Sequence, residues 1–258
     1  MGKVICFSNN KGGVGKTTSL ICVAEAFAKM NRRVLCVDLD SQANLTGVLS
    51  KTPSENRVLS IRDFFLDKTC LSIEPVAERI ALIPSDLNLG NFDIETAGMH
   101  DRVHLLSDLL EDVRDDYDFV LIDCPPALST ITFNAFVASD YLVMVATPDD
   151  LSYKGLKMTY KLYQEVLTNK RFNPNLKIAG TIVTKYENNL LSNTYLKKIS
   201  NDPLLLFIPP AISKATKVGQ ATAMKRSIYE FDPAGKPTKQ YLEVAQTLAL
   251  RILTDQPE

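Results

Sequence analysis

Nowhere in the 258 residues does an apolar run approach the ~18–20 residues that a membrane-spanning helix needs. The N-terminus opens directly on a short apolar run, Val4 to Phe7, without the layout of a secretory leader. These two absences lead to the expectation of a cytoplasmic protein with no membrane partner. Cys-x-x-Cys pairs are also missing. The five cysteines, Cys6, Cys22, Cys36, Cys70 and Cys124, are isolated and odd in number. Cys6, Cys36 and Cys124 sit in or beside apolar runs, as small buried hydrophobes in a reducing compartment do. His100 and His104 stand four apart on an expected helix, a spacing that can share a metal, but no third ligand accompanies them and a surface helix is the plainer reading. No internal repeat, low-complexity tract or long linker is present.

What is there has the balance of a globular chain: 45% hydrophobic and 23% charged residues, which excludes a disordered or collagen-like polymer. The length suffices for a single domain over residues 1–258. The net charge of −1 hides a split. Residues 1–150 carry 13 Lys and Arg against 22 Asp and Glu, and residues 151–258 carry 16 against 8. Either the basic half meets a polyanion such as nucleic acid, or folding interleaves the two halves.

Short β-branched runs alternate with longer helical patterns. Strands are expected at Val4–Ser8, Val34–Asp38, Arg79–Pro84, Phe119–Asp123, Tyr141–Ala146, Lys177–Thr184 and Leu204–Ile208. Helices are expected at Lys16–Lys29, Arg102–Val113 and Gly155–Leu167, with a last amphipathic one through Val244, Leu248 and Ile252. The runs are continuously apolar rather than alternating, as strands buried on both faces require. The expectation is an α/β fold, a doubly wound and mostly parallel sheet flanked by helices. Lys51 to Ser60 and Tyr186 to Pro203 read as the most loop-like stretches.

The first strand runs into Asn9-Asn10-Lys11-Gly12-Gly13-Val14-Gly15-Lys16-Thr17-Thr18 and then a helix. Strand, glycine-rich turn and helix N-terminus in that order make a phosphate loop. Glycines allow the backbone to wrap an anion with its N–H groups inward, and the helix aims free N–H groups at the same point. Lys16 would sit on the β/γ-phosphates of ATP, the Thr17 hydroxyl would ligate Mg²⁺, and Thr18 would approach the α-phosphate. The loop departs from G-x-x-x-x-G-K-[ST]: Asn10 stands at the first glycine position and Lys11 follows. Two ammonium groups in one site repel by several kcal/mol unless a highly charged anion shares them. Lys11 can also point outward, across a dimer interface, to a nucleotide on the facing subunit.

Lys11-Gly12-Gly13-Val14-Gly15-Lys16-Thr17-Thr18 resembles the deviant Walker A box of the ParA/MinD family of ATPases. Val37-Asp38-Leu39-Asp40-Ser41-Gln42-Ala43-Asn44-Leu45-Thr46 is similar to the family's second motif, and its S-Q-x-N-x-T part is like ParA rather than MinD. Phe119-Val120-Leu121-Ile122-Asp123-Cys124-Pro125-Pro126 resembles its Walker B strand, and Phe207-Ile208-Pro209 a late strand leading to the adenine-side loop. The resemblance spans nearly the whole chain. It implies that Lys11 reaches a partner's phosphates, that Gly12, Gly13, Val14 and Gly15 give backbone contacts, and that Pro209 lies on the adenine side. It further implies that Asp40 orients the attacking water, with a helix N-cap as the rival role, and that Asp38 and Asp123 attend the Mg²⁺ or its water shell. Asp123 is followed by Cys124, so no neighbouring Glu offers a strong base, and slow basal hydrolysis is expected.

By the same resemblance the ATP-bound homodimer binds DNA without sequence preference, is nucleoid-associated, and is released when a ParB-like adaptor stimulates hydrolysis. Lys214, Lys217, Lys225 and Arg226 are the candidate DNA contacts, with Lys197 and Lys198 as lesser additions. A solvated lysine-bearing helix face is the alternative. Because the first strand is read from residue 4, an operator-binding helix-turn-helix ahead of it is not expected. Four other readings stand beside this one. A MinD-like membrane ATPase would need a basic amphipathic tail, whereas this one ends in Asp255-Gln256-Pro257-Glu258. An iron–sulfur ATPase would need thiolates paired across a dimer. A tyrosine kinase would need a tyrosine-rich tail. A positioning ATPase for other cargo would share the same biochemistry.

Overall fold

The computed structural model describes residues 1–53, 59–68 and 71–255. In chain order these form β1 (Lys3–Ser8), α1 (Lys16–Lys29), β2 (Val34–Asp38), α2 (Asn44–Leu49), α3 (Ile61–Leu66), β3 (Glu74–Ala77), β4 (Ile80–Ile83) and α4 (Phe92–Glu95). Then follow α5 (Leu105–Val113), β5 (Phe119–Asp123), α6 (Thr130–Ala138), β6 (Tyr141–Ala146), α7 (Asp150–Thr168), β7 (Lys177–Val183), α8 (Leu190–Ser200), α9 (Thr216–Ala223), α10 (Ile228–Phe231) and α11 (Lys236–Thr254).

The seven strands make one sheet in the order β3-β4-β2-β5-β1-β6-β7, parallel except for the β3–β4 edge pair. β1 lies between β5 and β6, and the chain leaves it toward β2 on one side and later crosses to β6 on the other. The carboxyl end of β1 is therefore a topological switch point, the place in such sheets where a crevice opens. Successive residues of each central strand feed opposite layers: Ile5 and Phe7 enter the core shared with α1 and α11, and Val4 and Cys6 the core shared with α5, α6 and α7. Burial of both faces explains why the strand sequences show no polar alternation.

Two expected elements differ. Leu204–Ile208 is not a strand. Leu206 has a left-handed backbone, φ 47°, which breaks the extended run and leaves one bridge, Thr181 to Phe207. The loop-like stretch 186–203 contains α8, capped by Asn189, whose side chain accepts the Ser192 N–H at 2.9 Å. Only Ser192 and Ile199 of that helix are buried, so it has too thin an apolar stripe to announce itself. His100 and His104 lie in the turn before α5 rather than on a helix. Cys70, part of the 51–60 loop and the tail residues 256–258 lie outside the described residues.

Candidate functional site

The phosphate loop occupies the switch point. Gly13 and Gly15 take φ of 73° and 89°, left-handed values that a side chain would resist. A Cβ built on Gly12 or Gly13 would meet nothing within 4 Å, so the loop is open on that side. Gly15 is the N-cap of α1 and has no side chain to cap it, leaving first-turn N–H groups of the helix free for a ligand. The Lys16 side chain folds back along the loop, its Nζ 3.4 Å from the Lys11 carbonyl and 3.5 Å from that of Asn9. Burial draws its pKa below the usual lysine value, with Asp123 the strongest opposing charge.

Distant residues hold this loop in shape. Thr184, just past β7, donates its hydroxyl to the Val14 carbonyl at 2.6 Å, and Lys185 donates to that of Gly13 at 2.7 Å. Asn9 donates to the Val145 carbonyl at 2.7 Å, and the Asn10 N–H donates to the Thr159 hydroxyl at 3.1 Å. α7 can come this close because position 155 is glycine: a Cβ there would lie 2.2 Å from Asn9 Oδ1. None of these partners belongs to a sequence motif; the polar Thr147-Pro148 and Val183-Thr184 strand ends are the faint signals that could have found them.

Beside the loop, β2 and β5 pair so that Asp38 and Asp123 stand abreast at their carboxyl ends. Asp38 is spoken for: Oδ2 accepts the Thr46 N–H at 2.8 Å and hydroxyl at 2.7 Å, and Oδ1 accepts the Asp40 N–H at 3.1 Å. Asp123 accepts the Thr17 hydroxyl at 2.6 Å, while its Oδ1 is buried with no hydrogen-bond partner. Burial pushes both carboxyls up, and the charge of Asp38 pushes Asp123 further. Asp40 is half-buried; its Oδ1 accepts the Gln42 N–H at 3.0 Å and its carbonyl receives the Ser85 hydroxyl at 2.9 Å. It closes the turn after β2 and is not the N-cap of α2, a position taken by Ala43.

The two loop lysines face different ways. Lys11 Nζ lies 2.9 Å from both carboxylate oxygens of Asp149 and 3.4 Å from the Thr147 hydroxyl. Asp149 also N-caps α7 by accepting the Ser152 N–H at 2.9 Å. Burial opposes its charge, but hydrogen bonds from Thr147, Ser152 and Lys11 outweigh that and hold its carboxyl below the usual range.

Lys11, residues 12–18, Asp38, Asp40 and Asp123 thus come together at the carboxyl ends of β1, β2 and β5. Pro209 is exposed beyond the Phe207 bridge. The candidate DNA residues are all exposed but do not converge: Lys214 pairs with Glu187 at 3.0 Å and Lys217 with Asp232 at 2.8 Å, while Lys225 and Arg226 line a separate cleft. Lys197 and Lys198 sit exposed in the last turn of α8.

The site fits a nucleoside triphosphate with Mg²⁺. The loop offers an open cradle and an inward lysine, and the buried, unpartnered Asp123 Oδ1 beside Thr17 is an acceptor waiting for a donor or cation. Among the described residues no three His, Cys, Asp or Glu side chains form a ready cation cage.

Comparison with known proteins agrees. A family model described as an AAA domain matches residues 2–178. The chain is 32% identical over 256 residues to the sporulation initiation inhibitor protein Soj of Bacillus subtilis, covering 96% of this chain and 99% of that protein. It is 27% identical to the chromosome partitioning protein ParA of Myxococcus xanthus over 97% of this chain and 89% of that one. Among solved structures, a Mycobacterium smegmatis protein described as cobyrinic acid a,c-diamide synthase, with bound ATP analogue and magnesium, superposes with a TM-score of 0.84 at 26% identity, covering 99% of this chain and 96% of that one. A plasmid partition protein from Borrelia burgdorferi shares the fold at TM-score 0.77 and 24% identity, covering 97% and 99%.

Proposed function

This chain belongs to the ParA/MinD family of P-loop ATPases, and on that footing we propose that it is a ParA-like partition ATPase. It forms an ATP-dependent sandwich homodimer that binds DNA without sequence preference and lets go when an adaptor stimulates hydrolysis. The observation that carries this reading is the division of labour between Lys16, turned into its own loop, and Lys11, which leaves the cradle for Asp149. A lysine outside its own phosphate cradle is available to a phosphate presented by a second molecule.

In this reading Gly12 to Gly15 wrap the phosphates with backbone N–H groups, Lys16 neutralises the β/γ region and Thr18 lies near the α-phosphate. Mg²⁺, when bound, would neutralise charge on the bridging oxygens, with Thr17 and the free Oδ1 of Asp123 in or next to its shell. Asp38 keeps the Thr46 turn in place and acts one layer further out. Asp40 orients the attacking water. With no adjacent glutamate, the unstimulated reaction is slow, which suits a timed release. Pro209 lies toward the base.

The test is DNA binding and mass by light scattering for the Asp40→Ala protein with Mg²⁺ and either ATP or ADP. A dimer that binds DNA in a salt-sensitive way with ATP alone is the expected result. A dimer indifferent to DNA would turn the reading toward positioning of other cargo, and a monomer in ATP would overturn it.

A further inference from the structure

A second concave site lies on the α1 face of the sheet. α1 begins at the phosphate loop, and Lys29 at its other end is about 20 Å away along the helix. There a cleft of about 930 Å³ opens between the end of α1, the turn after α2, the β3–β4 turn and the turn joining α9 to α10. Each of these four segments brings a cation: Lys29, Lys51, Arg79, and the neighbours Lys225 and Arg226. Among the described residues, only Arg79 of the five lies within 4.0 Å of a carboxylate, that of Glu78. Lys29 and Arg226 rest over the rings of Tyr229 and Phe231, each at 5.6 Å, which orders them without neutralising them.

Three carboxyls share the cleft: Glu25, Glu78 and Glu230. Glu25 accepts the Ser227 hydroxyl at 2.8 Å, and burial pushes its pKa up to about 7, so at neutral pH it is close to half protonated. The balance is positive, although the whole chain is nearly neutral.

The backbone adds an independent sign. Six non-glycine residues among those described have a left-handed backbone, and three of them, Asn31, Arg79 and Lys225, line this cleft. Asn31 follows a helix, where asparagine is ordinary. Lys225, at φ 52°, follows α9 in the same way, so only its residue type is unusual there, whereas Arg79, at φ 64°, sits in the β3–β4 turn. Glycine would be easier there by about 1 kcal/mol, yet each turn carries a basic side chain at its strained position.

We propose that this cleft is the groove through which the protein holds the phosphate backbone of a polynucleotide. The proposal rests on the DNA reading above and moves its binding surface. Lys214 and Lys217, already paired with acids, drop out; Arg79, Lys29 and Lys51 join Lys225 and Arg226. Cations spread around a wide rim suit successive phosphates of one strand, whereas a single small anion would call for convergence on one point.

The test is binding of a short random-sequence duplex by the full chain with Mg²⁺ and a non-hydrolysable ATP analogue, across a salt series. The double variant R79G/K225G removes two cations per protomer while relieving both left-handed residues, so its melting temperature should match or exceed that of the unsubstituted protein. It should weaken binding by roughly tenfold or more. The slope of log K against log salt should flatten by about 3–4, because a dimer of this variant neutralises about four fewer phosphates. R79K/K225R should bind as before, and K214A/K217A should change neither quantity. A folded R79G/K225G with undiminished affinity and slope would overturn the cleft while leaving DNA binding intact. No binding by the unsubstituted protein would overturn both.

Discussion

The ammonium of Lys11 lies 2.9 Å from each carboxylate oxygen of Asp149, at the first turn of α7 and outside the loop's own cradle. For Lys11 to reach a phosphate on a second protomer, this pair must open. Asp149→Asn keeps the α7 cap, since Asn caps as well as Asp, but removes the charge. Both partners are about one-third exposed, 29% and 33%, so the pair is worth about 0.2–1 kcal/mol. With two pairs per dimer, ATP-dependent dimerisation should tighten by roughly 2- to 30-fold. Analytical ultracentrifugation in ATP checks this; an unchanged or weaker dimer would mean that Asp149 is no latch. Lys11→Ala should abolish the ATP dimer.

Gly155→Ala should damage the phosphate loop from far along the sequence. The new methyl would fall 2.2 Å from Asn9 Oδ1, forcing α7 and the end of β1 apart. A loss of about 1–3 kcal/mol in stability is expected, together with weaker nucleotide binding. Denaturant unfolding and nucleotide titration read the two effects separately.

Thr17→Val deletes the hydroxyl that donates to Asp123 at 2.6 Å. The buried carboxyl then has neither oxygen satisfied, which should cost about 1–3 kcal/mol. Mg²⁺-dependent hydrolysis should fall to background. Thr17→Ser should retain both stability and activity, measured by phosphate release and thermal unfolding.

Glu25 gives a pH dependence with a definite sign. Its pKa is about 7 in the folded protein against 4.5 as the ordinary value, because burial disfavours the charge, with Glu230 adding to it and Ser227 and Lys29 opposing. The folded state therefore holds the proton more tightly. The stabilisation is complete below about pH 4.5 and is lost as the pH rises through about 7. Glu25→Gln should be near neutral at about pH 4 and stabilising by about 3 kcal/mol at about pH 8.5. Denaturant midpoints at the two pH values check this.

Much of the architecture is legible because it is written locally. β2, β5 and β6 fall where their continuous apolar runs place them, and α1 starts at Lys16 as the loop chemistry requires. α6 leaves no periodic signature because it is apolar on nearly every side. Leu204–Ile208 misleads because nothing in an apolar pentapeptide foretells the left-handed Leu206.

The sequence was enough for the phosphate loop, since residues 9–18 are contiguous and carry their own backbone demands: glycines where φ is positive, a helix N-terminus next in line, a lysine at the right spacing. It determined the parallel sheet too, through the unbroken apolar runs. Tertiary structure alone decided which way Lys11 points, since its partner Asp149 is one carboxylate among 30 acidic residues. It alone brought Thr184, Lys185 and Gly155 to the loop, and it separated Lys225 and Arg226 from Lys214 and Lys217 while setting Arg79 beside the first pair. Those relationships depend on which strands neighbour each other and how closely helices approach the sheet, and packing fixes both only when the whole chain has folded.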